Sequence, residues 1–457
     1  MDTANQLREA PVKTLFFKYY GPALISILSV TLHQVINGVI LGQQVGKEGL
    51  AAVGLYGPVV TVFIALSLPI MIGGGIMMGK SIGARKYEDS QQIFQFATTL
   101  ALTAGVSISL MSIFMIGPLA GFLAGKENAL LLRSTTDYML WQLAGIPFFF
   151  LRMIWGNFIS NDNGPKISRN ASVVAVSLNI LLDLVFIIGL GWGVKGAAVA
   201  TFFSMLGSLL YLFFYIQKGK THFGFDRFRF TLRFGEWKTL LSFGLPSFAS
   251  EISFSTGLLL INHNIVPYGP LAVSAFGLIN YLSFIFLRPL TAAMIAAMPV
   301  MSYNIGAGLP HRVLGIFRFA VAFSFGLGLV IAGLGFFIPG LLVKVFSGEE
   351  SAAFVAMAER ATSLYFILFI AAGPNYILSA YLQNIKKVVA STLITVLKGL
   401  VLVVTLLLVL PGYFEMGLDG VWLSRSLAEI LTLLFMGVYT SFYKERFYDP
   451  AVILAHK

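Results

Sequence analysis

No cysteine occurs among the 457 residues. That absence excludes disulfides, thiol chemistry and any cysteine-ligated metal. Charge is scarce as well, since Asp, Glu, Lys and Arg make up only 11% of the chain, whereas a soluble domain carries about a quarter. The five histidines are scattered without metal-ligand spacing. No nucleophile, base and orienting acid fall into a recognisable arrangement, and no phosphate-binding loop is read, so no ATP-driven motor is expected. Without a catalytic constellation or a sizeable soluble domain, a membrane enzyme and a receptor are the weakest readings.

What is present is apolar. Hydrophobic residues form 57% of the chain, Phe alone numbers 41 and Met 15, and the mean hydropathy is +0.84. A bilayer-spanning helix needs roughly 20 mostly apolar residues, and twelve such runs are predicted near 16–42, 53–79, 91–118, 135–160, 168–190, 194–217, 240–266, 271–301, 313–340, 355–382, 388–411 and 418–442. Strands of a membrane barrel would be shorter and alternating. The first run follows polar MDTANQLREAPVK and lacks a small-residue cleavage site, which reads as a retained span.

The formal charge of +11 is explained by placement. Cations cluster before run one (Arg8, Lys13, Lys18) and in the even-numbered connections, as at Lys80, Arg85 and Lys86, and at Lys386 and Lys387. The odd-numbered connections carry fewer, Lys47, Lys126, Lys195 and Lys344 among them. The positive-inside rule then puts both termini in the cytoplasm. Residues 217–238, QKGKTHFGFDRFRFTLRFGEWK, alternate Arg with Phe. An amphipathic connection on the anionic inner leaflet explains this better than nucleic-acid binding.

The chain repeats itself. A shift of 223 carries Gly46 onto Gly269, the Ala52, Gly54 and Leu55 set onto Ala275, Gly277 and Leu278, and Ile82-Gly83-Ala84 onto Ile305-Gly306-Ala307. Further on, Asn163 and Lys166 correspond to Asn384 and Lys387, and GVKGAAVAT at 193–201 to GLDGVWLSR at 417–425. Six runs per copy make the repeat parallel, and transporters so built bind substrate near the midplane. The expected division is an N-terminal lobe at 1–217, a linker at 218–238 and a C-terminal lobe at 239–457.

Polar groups inside hydrocarbon are costly, so each needs a reason. TLHQVINGVILG at 31–42 places His33, Gln34 and Asn37 in the first run. Asp183 in SLNILLDLVFIIG has Asn179 one turn earlier on the same face. A desolvated carboxyl beside amide oxygens can hold a proton or, with more oxygens, a hard cation such as Na+. Asn157 and Thr201 add neutral oxygens in the same half. In the second half, Glu251 follows Pro246 and has Asn262 three turns on; it suits proton loading, or partners a buried base such as Arg425 or Lys398. Arg425 and Glu429, four apart in LSRSLAEIL, read first as an intrahelical ion pair. Lys398, Arg288 and Arg152 either line a cavity or snorkel. Pro374 should kink its helix and free a carbonyl beside Asn375. The glycine run IGGGIMMG at 72–79 reads as close helix packing or as a hinge.

Together VGKEGLAAVGL, the stretch from NGPKISRNAS to GVKGAAVAT, MPVMSYNIGAG, LSAYLQNIKKVV and MGLDGVWLS cover nearly the whole chain in order. The set resembles the multidrug and toxic compound extrusion (MATE) family. The resemblance implies an all-α membrane protein of twelve helices in two pseudo-symmetric six-helix lobes. It further implies export of amphipathic, often cationic compounds in exchange for H+ or Na+, without other cofactors and by a monomer. The family's N-lobe coupling pattern matches Asn157, Asn179, Asp183 and Thr201, but its first-span carboxylate falls on Asn37. Its C-lobe carboxylate matches Glu251, while the acidic partner is replaced by Asn375. His33, Gln34, Asn262, Asn375, Lys398 and Arg425 are then expected at the substrate cavity. A flippase for a lipid-linked saccharide, with Lys398, Arg288 and Arg425 facing a pyrophosphate, is the competing transport reading.

Overall fold

The computed structural model describes residues 7–125, 127–347 and 351–455, and among them every regular element is helical. Eleven helices are long and apolar enough to cross a bilayer, and a pair bent by 45°, Ala129–Ala144 and Ile146–Asn161, brings the number to 12 if it is one span. The chain is an all-α membrane protein. Helices satisfy their own backbone groups where no water can, which is why they prevail in hydrocarbon.

The first half comprises α1 (Val12–Gln44), α2 (Lys47–Gly83), α3 (Tyr87–Phe114), the bent pair α4 (Ala129–Ala144) and α5 (Ile146–Asn161), α6 (Pro165–Asp183) and α7 (Gly193–Gln217). The second comprises α8 (Phe234–Ile265), α9 (Pro270–Gly306), α10 (Pro310–Phe337), α11 (Ala352–Tyr365), α12 (Phe369–Asn384), α13 (Val388–Val396), α14 (Leu402–Leu408) and α15 (Gly417–Phe442). The repeat reappears in backbone geometry: left-handed residues recur as Gly46 and Gly269, Arg85 and Gly308, Asn163 and Lys386, and Gly193 and Gly417, which pairs Asn163 with Lys386 in place of the expected Asn384. Turns of one shape therefore join corresponding helices in both halves.

Wide π turns interrupt two of the spans. One, Leu184–Gly189, begins directly after Asp183; another, Leu397–Val401, contains Lys398. An i→i+5 turn inserts a residue into the helical ladder and commonly accompanies functional sites.

Chain contacts form two compact units, 21–244 and the described residues up to Tyr20 together with those from Leu245 on. This differs from the expected cuts at 217 and 239. Each boundary lies within two residues of a proline inside a helix, Pro22 in α1 and Pro246 in α8. The start of α1 packs within the second-half unit, where Phe16 meets Phe319 and Phe323 edge-on and Arg312 donates to the Ala10 carbonyl at 2.7 Å. The expected linker belongs to the first-half unit. Gln91 exchanges two hydrogen bonds with the Gly224 backbone at 2.9 and 2.8 Å, Phe94 stacks on Phe223, and Trp237 donates to the Phe96 carbonyl. Its aromatics thus cover α3, a use that alternation with Arg did not reveal.

The glycine run of α2 serves packing. A Cβ at Gly73 would strike the Leu240 carbonyl and one at Gly75 the Asn157 side-chain oxygen. The segment from Gly74 to Ser81 also has the glycine, lysine and serine spacing of a phosphate-binding loop, contrary to the sequence reading. It lies inside α2, where the amides bond within the helix, so the spacing carries no nucleotide chemistry.

Candidate functional site

In the first-half unit, α1, α6 and α7 bring three distant polar residues together. His33 Nε2 bonds the Asn179 amide oxygen, and Asn179 Nδ2 donates to Thr201 Oγ1 at 3.3 Å. The opposite orientation of this amide is the one that satisfies both its ends: Nδ2 donates to Asp183 Oδ2 at 2.9 Å and to His33 Nε2, and its oxygen accepts from the Thr201 backbone N–H at 3.0 Å. Asp183 is fully buried, with Oδ1 lacking a partner. Asn37 lies one turn beyond His33, and its buried Oδ1 is also unpartnered. Unsatisfied buried oxygens of this kind cost about 1–3 kcal/mol each.

Arg152 lies apart from this cluster. It donates to Ser208 Oγ at 3.0 Å and Ser172 Oγ at 3.2 Å, and Ser172 is bonded by Ser26 at 2.6 Å. Hydroxyls hold it, so it does not snorkel. Asn157 accepts from Asn161 Nδ2 at 3.0 Å and abuts Gly75. The structure leaves Gln34 exposed and outside the cluster.

The second-half unit contains an ionic centre. Lys398 Nζ contacts Glu429 Oε1 at 3.0 Å, Asn375 Nδ2 donates to Glu429 Oε2 at 2.7 Å, and Arg425 Nη2 stands 3.8 Å from Glu429 Oε1. All four side chains are buried. The intrahelical Arg425–Glu429 pair exists, but Lys398 from the π turn is the closer partner. That corrects the reading of Lys398 as cavity-lining or snorkelling, and of Asn375 as marked chiefly by a freed carbonyl. Lys398 also sits 4.1 Å from the Tyr376 ring centroid.

Glu251 takes neither Lys398 nor Arg425 as partner. It makes no hydrogen bond or ion pair among the described residues and has Arg288 within electrostatic reach. The Arg288 guanidinium lies 3.5 Å from the Phe284 centroid with Nε unpartnered. Asn262, expected on the same face, is exposed near the end of α8 and joins no cluster.

A cavity of about 340 Å³ opens beside the ionic centre, wholly within this unit. Arg425 and Glu429 form its charged wall, and Phe254, Phe284, Tyr365 and Tyr376 its aromatic ones. Asn280 and Ser283 complete it. Sequence reasoning missed these two, although they are three apart, on one helix face of apolar GLINYLSFIF.

The sequence model of the MatE family matches twice, over residues 22–185 and 246–409. The chain belongs to the MatE family. It is accordingly a secondary transporter and not an enzyme. Among curated relatives of this MATE chain are the probable multidrug resistance protein YoeA of Bacillus subtilis, 24% identical over 429 residues and covering 92% of each chain, and the multidrug export protein MepA of Staphylococcus aureus, 24% identical over 433 residues with 93% of each covered. A MOP superfamily transporter from Pyrococcus furiosus superposes with a TM-score of 0.90 at 23% identity, over 98% of this chain and 99% of that one. An outward-facing multidrug resistance MATE transporter gives 0.89 at 22%, over 97% and 98%. The fold is that of MATE transporters.

Proposed function

We propose that the chain is a multidrug exporter of twelve spans in two pseudo-symmetric lobes, working in a bacterial inner membrane with both termini cytoplasmic. Amphipathic, chiefly cationic compounds leave in exchange for protons entering at Asp183, Asn179 and His33. The observation that carries the reading is the Asn179 amide, which stands within hydrogen-bond reach of both His33 and Asp183.

An amide can report protonation because one end accepts and the other donates. When His33 carries a proton on Nε2, it donates to the Asn179 oxygen. When that nitrogen is bare, the amide turns, and its N–H serves His33 and the Asp183 carboxylate. A proton arriving from outside thus changes whether the Asn179 N–H serves the Thr201 hydroxyl or the Asp183 carboxylate. Substrate is displaced if the protonated network binds it less well, and that differential affinity is the whole of the coupling. The membrane potential adds about 2.3 kcal/mol per charge per 100 mV.

Sodium remains the competing ion, since Asp183, Asn37, Asn179 and Thr201 all offer oxygen. Hard cations favour oxygen shells, and a histidine nitrogen in the cluster weighs toward the proton. Glu251, without a direct partner, is the second candidate for coupling.

Proteoliposomes loaded with a fluorescent cationic dye and given imposed H+ or Na+ gradients test this. Asp183→Asn should lower gradient-driven efflux about tenfold or more, within the usual range of coupling energies. Glu251→Gln should have the smaller effect. Undiminished driven efflux in Asp183→Asn would remove that residue from the mechanism.

A further inference from the structure

The second-half cavity has the wrong charge for a purely cationic cargo. Two buried cations, Lys398 and Arg425, share one buried carboxylate, Glu429. Lys398 is the nearer, 3.0 Å from Glu429 Oε1, and Arg425 stands 3.8 Å from the same oxygen. One positive charge is therefore in excess, and Arg425 is the cation that lines the cavity.

Its hydrogen bonding is also incomplete. A guanidinium has five N–H groups, and Arg425 donates one bond, from Nη1 to the Lys398 carbonyl at 3.4 Å. Its side chain is only 3% exposed. Ser283 Oγ, on the same cavity, is buried without a partner, and Asn280 beside it makes no hydrogen bond among the described residues. A buried surplus charge is expensive unless something pairs with it. The aromatic walls supply flat apolar contact next to the unused donors, which is how sites for small molecules are usually composed.

We propose that this cavity binds an aromatic monocarboxylate. The carboxylate pairs with the Arg425 fork, Ser283 and Asn280 donate to its remaining lone pairs, and the rings lie between Phe254, Phe284 and Tyr365. The chain then accepts organic acids at a place separate from the Asp183 cluster, which extends its substrates beyond cations.

The test uses purified full-length protein in nanodiscs and tritiated 1-naphthoate, read by scintillation proximity without any ion gradient, so that it stands apart from the coupling proposal. Unlabelled 1-naphthoate should displace the tracer at least about tenfold more strongly than neutral 1-naphthamide or cationic 1-naphthylmethylammonium, as expected for a charge-assisted pair. Arg425→Gln should erase that preference. Because Arg425 also adjoins Glu429, a second variant guards against misfolding: a Cβ at Gly277, which lines the cavity, meets nothing within 4 Å. Gly277→Leu should therefore fold, fill the space and abolish saturable binding. Equal displacement by the amide, stronger displacement by the amine, intact binding in Gly277→Leu, or no saturable binding to the unmodified protein would each overturn the proposal.

Discussion

The two halves share turns, helix order and a repeating sequence, yet their polar interiors are built on opposite principles. Around Asp183 the partners are neutral: an amide, a hydroxyl and an imidazole, with orphaned oxygens on Asp183 and Asn37. Around Glu429 they are ions, with lysine, arginine and an amide converging on one carboxylate. The paired segments GVKGAAVAT and GLDGVWLSR put Thr201 where the other copy has Arg425. That exchange turns one copy of the design into a loosely held hydrogen-bond relay and the other into a locked ion network. Loosely held groups switch cheaply between partners, whereas ions buried together resist separation. Duplication supplied one scaffold, and a few substitutions divided the work.

The sharpest way to break the comparison is to unlock the ionic half. Glu429→Gln leaves Lys398 and Arg425 without their carboxylate, and a loss of about 3–5 kcal/mol is expected. Thermal unfolding in detergent should show it as the largest drop of the series, well beyond that of Asp183→Asn, whose neighbours are neutral. Comparable losses for the two variants would erase the distinction.

Packing at the glycine run of α2 gives an intermediate effect. Gly75→Ala drives a methyl into the Asn157 oxygen, for an expected cost of about 1–3 kcal/mol. Gly54→Ala on the same helix meets nothing within 4 Å and should unfold at or slightly above the wild-type temperature, because alanine is the better helix former. Equal behaviour of the pair would argue that the glycine run acts as a hinge.

Two smaller effects sharpen the relay itself. His33→Gln keeps a hydrogen-bonding partner for Asn179 but has no proton to lose, so dye efflux should persist with a flatter pH profile, by about fivefold across the range. Asn37→Asp adds a carboxylate one turn away, and the pH or sodium dependence of efflux should move. An unchanged dependence would take α1 out of the coupling step.

Much of this protein was legible one residue at a time. The apolar runs, the repeat and the isolated polar residues were plain, and Asp183, Asn179 and Thr201 do meet. Asn262 and Gln34 join neither polar cluster, because helical spacing says which residues share a face and not what the face meets. Lys398 was ambiguous for the same reason: its carboxylate lies 31 residues away on another helix. The aromatics of 217–238 were placed on a leaflet, whereas they pack on α3.

The sequence by itself determined that the chain is a duplicated membrane bundle, because bilayer thickness and backbone hydrogen bonding act on local runs of residues. Tertiary structure alone decided who partners whom. It set His33 against Asn179, 146 residues apart, opened π turns at Asp183 and Lys398, and put Arg425 on the wall of an aromatic-lined cavity. Those outcomes depend on the close approach of separate helices, as where a Cβ at Gly257 would strike the Gly399 carbonyl. No local periodicity records that fit.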